Sequence, residues 1–299
     1  MATRIDSAEC PRHPPGTMRD ILDAVAAGEL SPAEAEAELR GYATGDAGRF
    51  DAAREERSGV PEAVLGEGKT AREVADLAET ALETTGHAVV TRLADDAIGP
   101  VRKHLVHTHP DASFRLDERA GVLVAHAADY ERPDLAASVA VVSAGTADAV
   151  PAGEAAMVVR EMGVDVKRIR DVGVAAIVRL TDNLDGLRDH DVIVVAAGRE
   201  GALPTVVAGL VDVPVVGLPV STGYGHGGEG EAALLGMLQS CTALSVVNVD
   251  AGFTAGAQAG LIARRVAAAR AQEDEEDDEG ELKGDDEAGP PAAAPDDRE

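Results

Sequence analysis

Cys241 and Glu200 are the two residues here whose types suit covalent and proton-transfer chemistry. A thiolate is a strong nucleophile at neutral pH, and a positioned carboxylate takes or returns a proton. Cys241 falls between a helical pattern, EAALLGMLQS, and an apolar run, LSVVNV. A lone core cysteine is commonly inert packing, and a helix C-terminus disfavours a thiolate. That same negative end welcomes a cationic ligand, and a bound cation lowers a thiol pKa. Glu200 lies in Ala197-Gly198-Arg199-Glu200-Gly201-Ala202-Leu203-Pro204. Pro204 suits an early helical position, so Glu200 falls at or just before a helix start. There it either complements the helix dipole or removes a proton at a strand's carboxyl end.

Three further turns could hold a ligand. Ser143-Ala144-Gly145-Thr146-Ala147-Asp148 joins an apolar run to a helix. Its small residues let backbone N–H groups approach a phosphate, and an ordinary tight turn fits equally well. The stretch from Ser221 to Gly230 contains Gly223, Gly225 and Gly228, a formal match to the dinucleotide fingerprint. The match does not directly follow a strand, so a mobile loop closing over a ligand fits better. Asn248 and Asp250 close the last apolar run with polar groups. Gly68-Lys69-Thr70 looks like the end of a P-loop, but Ala63 holds the first glycine's place and no strand is expected before it. The histidines are scattered, so no protein-built zinc site is expected, and no cofactor is expected to be tightly bound. A Mg²⁺ held partly by substrate phosphates is compatible with the sequence.

The elements that must position these residues follow from periodicity. Residues 1–16 are expected to be disordered, and a helical and α+β unit fills 17–128. It opens with helices near Met18 and at Ser31-Pro32, the latter an N-cap followed by proline. An irregular stretch, FDAAREERSGVPEAVLGEGKT, leads to a helix from Thr70 to about Thr85. HAVVTRL and GVLVAHA read as strands, with DAIGPVRKHL a helix between them. From 136 to 271 short apolar runs alternate with helical patterns: SVAVVSAG, VDVKRIRDV, DVIVVAA, VPVVGLP and LSVVNV. That rhythm predicts a doubly wound parallel α/β sheet. VAAIVRLTDNL is expected to be one of its helices. Residues 272–299 are acidic, then rich in Pro and Ala, and are expected to be a disordered, solvating tail.

The formal charge of −27 over 299 residues excludes phosphate-backbone binding by a basic face, so no nucleic-acid partner is expected. Lys69, Lys103, Lys167 and Lys283 are the lysines. So acidic and lysine-poor a surface suits a halophilic solvent, where salt screens self-repulsion. Two cysteines, Cys10 and Cys241, make no disulfide framework, and no run is long enough to cross a membrane. The N-terminus lacks the apolar stretch of a signal peptide, so a cytoplasmic location is expected.

Six ordered blocks resemble the LarB family of nickel-pincer nucleotide biosynthesis. They are FDAAREERSGVPEAV with GKT, VSAGTAD, DVGVAAIVRL, AAGREGALPTVVAGL, PVSTGYGHGGEGEAALLGMLQSC and VVNVDAGFTA. The C-terminal half is similar to the aminoimidazole ribonucleotide carboxylase (PurE-like) domain, which implies a flavodoxin-like fold. The resemblance implies carboxylation of nicotinic acid adenine dinucleotide by CO2 or bicarbonate, with hydrolysis of its phosphoanhydride. The products would be pyridinium-3,5-biscarboxylic acid mononucleotide and AMP. It implies Cys241 as the residue forming a transient ring adduct, with Glu200 working beside it. It adds phosphate binding at Ser143, Gly145, Thr146 and Asp148, and substrate contacts at Gly201, Ser221, Gly223, Gly225, Asn248 and Asp250. Arg54, Arg57, Lys69 and Arg179 are candidates for phosphates or carboxylates, with surface ion pairing the alternative. A homo-oligomer is implied, an octamer being compatible, with a sulfur transferase and a nickel insertase as pathway partners. The alternative reading is a purine-pathway aminoimidazole ribonucleotide carboxylase or mutase. The corresponding segments here, RIRDVGVAAI and REGALPTVV, lack that family's histidines.

Overall fold

The structure, a computed structural model, describes residues 18–286 apart from 33, 34, 36–38, 40, 46 and 224. The N-terminal unit opens with helix α1, Met18–Ala27. Pro32, Ala35 and Leu39 are helical, and the rest of that expected second helix lies mostly outside the described residues. A two-stranded hairpin follows, β1 (Ala43–Gly45) and β2 (Gly48–Phe50), and then the short helix α2 (Arg54–Ser58).

A four-stranded sheet in the order β3-β4-β6-β5 completes this unit. Its strands are β3 (Ala63–Leu65), β4 (His87–Thr91), β5 (Ser113–Asp117) and β6 (Val122–His126). Helices α3 (Ala71–Thr85) and α4 (Asp95–Thr108) cover it through Val74, Ala78, Leu82, Val101 and Leu105, all buried. Thr70 and Glu73 form a reciprocal capping box at the start of α3, which fixes where that helix begins. The expectation that no strand precedes Gly68 is corrected by β3. No P-loop results, because the capping box already occupies the N–H groups such a loop would offer a phosphate.

The second unit is a five-stranded parallel sheet in the order β11-β10-β9-β7-β8. Its strands are β7 (Ser138–Ser143), β8 (Asp165–Ile169), β9 (Val192–Ala197), β10 (Val215–Pro219) and β11 (Ser245–Val246). Numbered within the sheet this is 2-1-3-4-5, the flavodoxin-like winding. Alternation along β7 sorts its side chains between two layers. Val139 and Val141 face α5 (Ala149–Glu161) and α10 (Gly252–Asp286), while Ala140 and Val142 face the opposite core. That opposite core contains residues of α8 (Ala202–Ala208) and α9 (Glu231–Leu238). Small residues bring α10 hard against α5: a Cβ on Gly256 would fall 2.5 Å from the Ala155 carbonyl oxygen.

Two expectations are corrected. VAAIVRLTDNL is broken into a 3₁₀ turn, Val174–Ala176, and two short helices, α6 (Ile177–Thr181) and α7 (Leu184–Arg188). Asn183 turns its amide onto the Arg179 carbonyl at 2.8 Å, competing with helix continuation. The chain also remains helical past 272, since α10 runs to Asp286, with Glu273, Glu275, Glu276, Glu279, Glu281 and Leu282 as the good helix formers among its Asp and Gly. Residues 1–17 and 287–299 lie outside the described ones.

Candidate active site

Open parallel sheets present ligands at the carboxyl ends of their strands. Here the turns after β7, β9 and β10 are tied together by one buried side chain, Asp148. Its Oδ2 accepts from the Gly145 N–H at 2.7 Å, and its Oδ1 from the Gly198 N–H at 3.1 Å. Thr222 Oγ1 lies 3.5 Å from the same Oδ1. Burial pushes the Asp148 carboxyl above its ordinary range, and the hydrogen bonds oppose that rise. Gly198 must be glycine, because a Cβ there would come 2.3 Å from the Thr222 carbonyl oxygen. Ser143 is buried at the end of β7, whereas Thr146 is exposed at the tip of the same turn.

The turn after β11 joins this rim. Asp250 Oδ1 accepts from the Ser221 N–H at 2.9 Å, and the Asp250 N–H donates to the Pro219 carbonyl. Asn248 is exposed, with its Oδ1 on the Val249 N–H. Four non-glycine residues of these carboxyl-end loops hold positive φ: Asp171 (58°), Arg199 (52°), Glu229 (57°) and Asp250 (54°). Such strained conformations concentrate at functional sites. Gly225, with φ of 94° and open space around it, and exposed Gly223 belong to the loop above.

Glu200 lies just before Gly201, the N-cap of α8, in keeping with its expected place at a helix start, and it is exposed. Gly201 has φ of 62°, and a Cβ on it would meet the Ala233 carbonyl oxygen at 2.5 Å, so the turn is seated on α9. Cys241 is a free, exposed thiol, not a packed core residue. It lies two positions beyond Gln239, the C-cap of α9. Its neighbour Thr242 places a methyl 3.6 Å from the Cβ position of Gly209, which caps the far end of α8. The Glu200 turn thus lies at the start of α8, while Thr242, next to Cys241, lies by its far end.

The candidate cations divide into two groups. Arg179 stays at the sheet's carboxyl edge, paired with Asp171 at 2.6 Å. Arg54, Arg57 and Lys69 belong to the N-terminal unit. Arg54 Nη1 donates to Glu62 at 2.9 Å, and Arg57 grips Asp51 with both Nη atoms at 2.7 and 3.1 Å. Lys69 Nζ donates to the Leu65 carbonyl at 2.8 Å.

Three residues that sequence reasoning missed connect the units. Arg119 donates to the Thr146 carbonyl, and Arg92 Nη2 donates to the Asp250 carbonyl at 2.9 Å. Glu154 on α5 is buried, lies 3.6 Å from Arg92 Nε and accepts from the Phe253 N–H. Its burial raises the carboxyl pKa, while Arg92 opposes the rise. Arg92 carried one local signal: it directly follows an apolar strand, at a position that needs φ of 51°. Among the described residues one trio of metal-capable donors converges: Asp76, Glu79 and His104, within 4.8 Å on α3 and α4 of the N-terminal unit. His104 Nε2 and Glu79 Oε2 already share a 2.7 Å hydrogen bond. No described helix is long and apolar enough to cross a membrane.

Comparison with known proteins matches the two units separately. Residues 42–126 match the LarB/PurE-like N-terminal domain, and residues 138–279 match AIR carboxylase. An uncharacterized protein of Methanocaldococcus jannaschii is 36% identical over 255 residues, covering 83% of this chain and 97% of its own. The chain belongs to the LarB family. This LarB-type protein has a PurE-like C-terminal domain and is of carboxylase type. A crystal structure of a Treponema denticola PurE2 variant is 20% identical, with a TM-score of 0.35; the match covers 52% of the LarB-type chain and 97% of the PurE2 chain.

Proposed function

We propose that this protein carboxylates carbon 5 of the pyridinium ring of nicotinic acid adenine dinucleotide, using CO2 or bicarbonate, and hydrolyses the phosphoanhydride. The products are pyridinium-3,5-biscarboxylic acid mononucleotide and AMP. The observation that carries this reading is an exposed thiol, Cys241, in a LarB-type chain whose Glu200 turn borders a rim tied together by Asp148.

The ring is electron-poor, so carbon 5 cannot itself attack CO2. Addition of the Cys241 thiolate beside that carbon forms a C–S bond and moves a π pair onto the ring system, giving an enamine-like nucleophile. That pair forms the new C–C bond to CO2. Glu200 takes the proton from carbon 5, the ring regains aromaticity, and the C–S pair leaves with sulfur as thiolate. The pyridinium charge favours the thiolate at the outset. Water cleaves the phosphoanhydride and supplies the oxygen and protons shared between the two phosphates.

The Glu200 turn and Thr242, the neighbour of Cys241, lie by opposite ends of α8, which supports a site in which a second copy brings the two residues together. Exposed Leu235 and Leu238 on α9, just before Cys241, are the apolar contact such a copy would cover. The assembly is accordingly a homo-oligomer, and its product passes to sulfur-transfer and nickel-insertion proteins.

The test is incubation of the full-length protein with nicotinic acid adenine dinucleotide and labelled bicarbonate at low and high salt. Label should enter a dicarboxylated mononucleotide with release of AMP, and Cys241→Ala should abolish it. Full carboxylation by Cys241→Ala overturns the assignment. The AIR carboxylase match of the sheet unit favours a second reading, a purine-pathway carboxylase. Turnover of aminoimidazole ribonucleotide independent of Cys241 would select it.

A further inference from the structure

Asp76 and Glu79 lie three residues apart on α3, so their side chains share one face of that helix. His104 stands against them on α4, 25 positions beyond Glu79. One ligand atom from each of the three lies within 4.8 Å of the others. Packing fixes the helices that carry them. Ala75 and Ala78 of α3 and Leu105 of α4 are buried in one apolar cluster, and each donor is next in sequence to one of these residues. The Asp76, Glu79 and His104 side chains are accordingly only 22, 26 and 37% exposed. Among the described residues the cation paired with Asp76 is Arg72, at 3.8 Å and with its side chain 87% exposed. So long and solvated a pairing does little to neutralise the carboxylate.

We propose that Asp76, Glu79 and His104 bind a divalent transition-metal ion of the zinc class, which pins α3 to α4. One imidazole nitrogen with two carboxylate oxygens is a donor set for Zn²⁺ and its neighbours, whereas Mg²⁺ and Ca²⁺ take oxygen ligands. The two carboxylates balance the charge of the ion. It takes the place of the proton shared between His104 Nε2 and Glu79 Oε2, so the ring binds neutral, with its N–H on Nδ1. Donors held about 2.0–2.2 Å from zinc in a tetrahedral shell lie about 3.4 Å apart, so side-chain movements of about an ångström close the trio. Three protein donors leave a further position for water, which the partial exposure of all three allows. Helices α3 and α4 cover one face of the four-stranded sheet, while Val89, Val122 and Val124 on its other face meet Met157 of α5. Neither Cys241 nor the Asp148 rim takes part, so this site is independent of the carboxylase reading. Donors 25 positions apart on two helices make no short spacing pattern, which is why the scattered histidines gave no sign of it.

Calorimetric titration of the full-length protein with ZnCl2, after metals are removed by chelation, tests the site. The Cys10→Ala, Cys241→Ala protein serves as parent, because those two thiols would otherwise compete for the ion. One Zn²⁺ per chain should bind, and equal concentrations of Mg²⁺ or Ca²⁺ should leave it in place. His104→Ala and Glu79→Gln should each weaken Zn²⁺ by about tenfold or more, at least the cost of losing a residue that merely orients a ligand. Asp76→Asn, which keeps the shape of the side chain and removes its charge, should weaken it likewise. Zn²⁺ should also raise the thermal midpoint of the parent and leave that of His104→Ala unmoved. Unchanged affinity in His104→Ala and Asp76→Asn would mean an adventitious ion only and overturns the site. Displacement of Zn²⁺ by Mg²⁺ at equal concentration overturns it too, as does the absence of Zn²⁺ binding by the parent.

Discussion

Arg92 of the N-terminal unit donates to the carbonyl of Asp250, 158 positions later, at 2.9 Å. Its Nε also lies 3.6 Å from Oε1 of buried Glu154. One guanidinium thus supports the last turn of the parallel sheet and offsets the buried carboxylate that accepts the Phe253 N–H of α10. Arg119 on Thr146, and Arg168 on Asp117 at 2.5 Å, fasten the units elsewhere. The rim of the candidate site is therefore built by both units.

Replacing Arg92 with Met should destabilise the protein by about 1–3 kcal/mol, the usual cost of leaving a buried acceptor unsatisfied. The pH dependence has a definite sign. Burial raises the Glu154 pKa above its unfolded value, so its contribution is fully present below the unfolded pKa and is lost as pH rises through the folded one. Without Arg92 the ionised form is costlier still, so the deficit should be larger at pH 8 than at pH 5. Urea denaturation at both pH values checks this, and Glu154→Gln in the Arg92→Met background should narrow the difference.

Asp148→Asn should loosen the site despite its near-identical shape. Both carboxylate oxygens accept from backbone N–H groups, at Gly145 and Gly198, so an amide nitrogen in either place would face another donor. A loss of about 1–3 kcal/mol is expected, with KM for the dinucleotide rising. Equal stability and KM in the variant would show that the three turns keep their places without this carboxylate.

The apolar runs SVAVVSAG, DVIVVAA and VPVVGLP translated directly into β7, β9 and β10, because strands buried on both faces are nearly continuous in Val and Ala. β5, SFRLD, escaped notice because it is an exposed edge whose polar residues conceal alternation. β1, β2 and β3 span three residues each, too few for a period. The glycine-bearing turns after those strands were legible as the loops that make the candidate rim. The wiring of that rim was not legible: Asp148 reaches partners 50 and 74 positions away, and no local pattern encodes such pairings. Cys241 was readable as a residue type, but its exposure required the fold.

His87 is buried beneath Tyr130, with ring centroids 4.7 Å apart, and Glu55 lies 3.7 Å from its Nε2. His126, paired with fully buried Glu161 at 2.6 Å, packs against the same tyrosine. Burial lowers the His87 pKa from 6.5, and the attractions of Glu55 and Glu161 only partly oppose this. The unfolded chain thus binds the proton more readily. The His87 contribution is present above the unfolded pKa and is lost as pH falls below it. Stability should decline by up to about 1.4 kcal/mol per pH unit on the acid side. His87→Gln should flatten that slope in denaturation curves between pH 7 and 5, whereas an unchanged slope would assign it to other groups.

The placement of the Glu200 turn and of Thr242 by opposite ends of α8 leads to a test that activity of either single variant cannot provide. Suppose catalysis joins Glu200 of one copy to Cys241 of another. Mixing inactive Glu200→Gln and Cys241→Ala proteins, then dissociating and reassembling them, creates some sites with both residues intact. Random pairing across a two-fold interface places one such site in each mixed pair, restoring about a quarter of wild-type turnover. If one chain supplies both residues, every site in the mixture keeps one defect and turnover stays at the level of the parents. Leu238→Glu, aimed at the exposed apolar face of α9, should lower both oligomer mass and turnover together, read by light scattering and product formation. Full turnover by a monomeric Leu238→Glu protein would show that α8 and α9 rearrange within one chain to bring the thiol to the carboxylate.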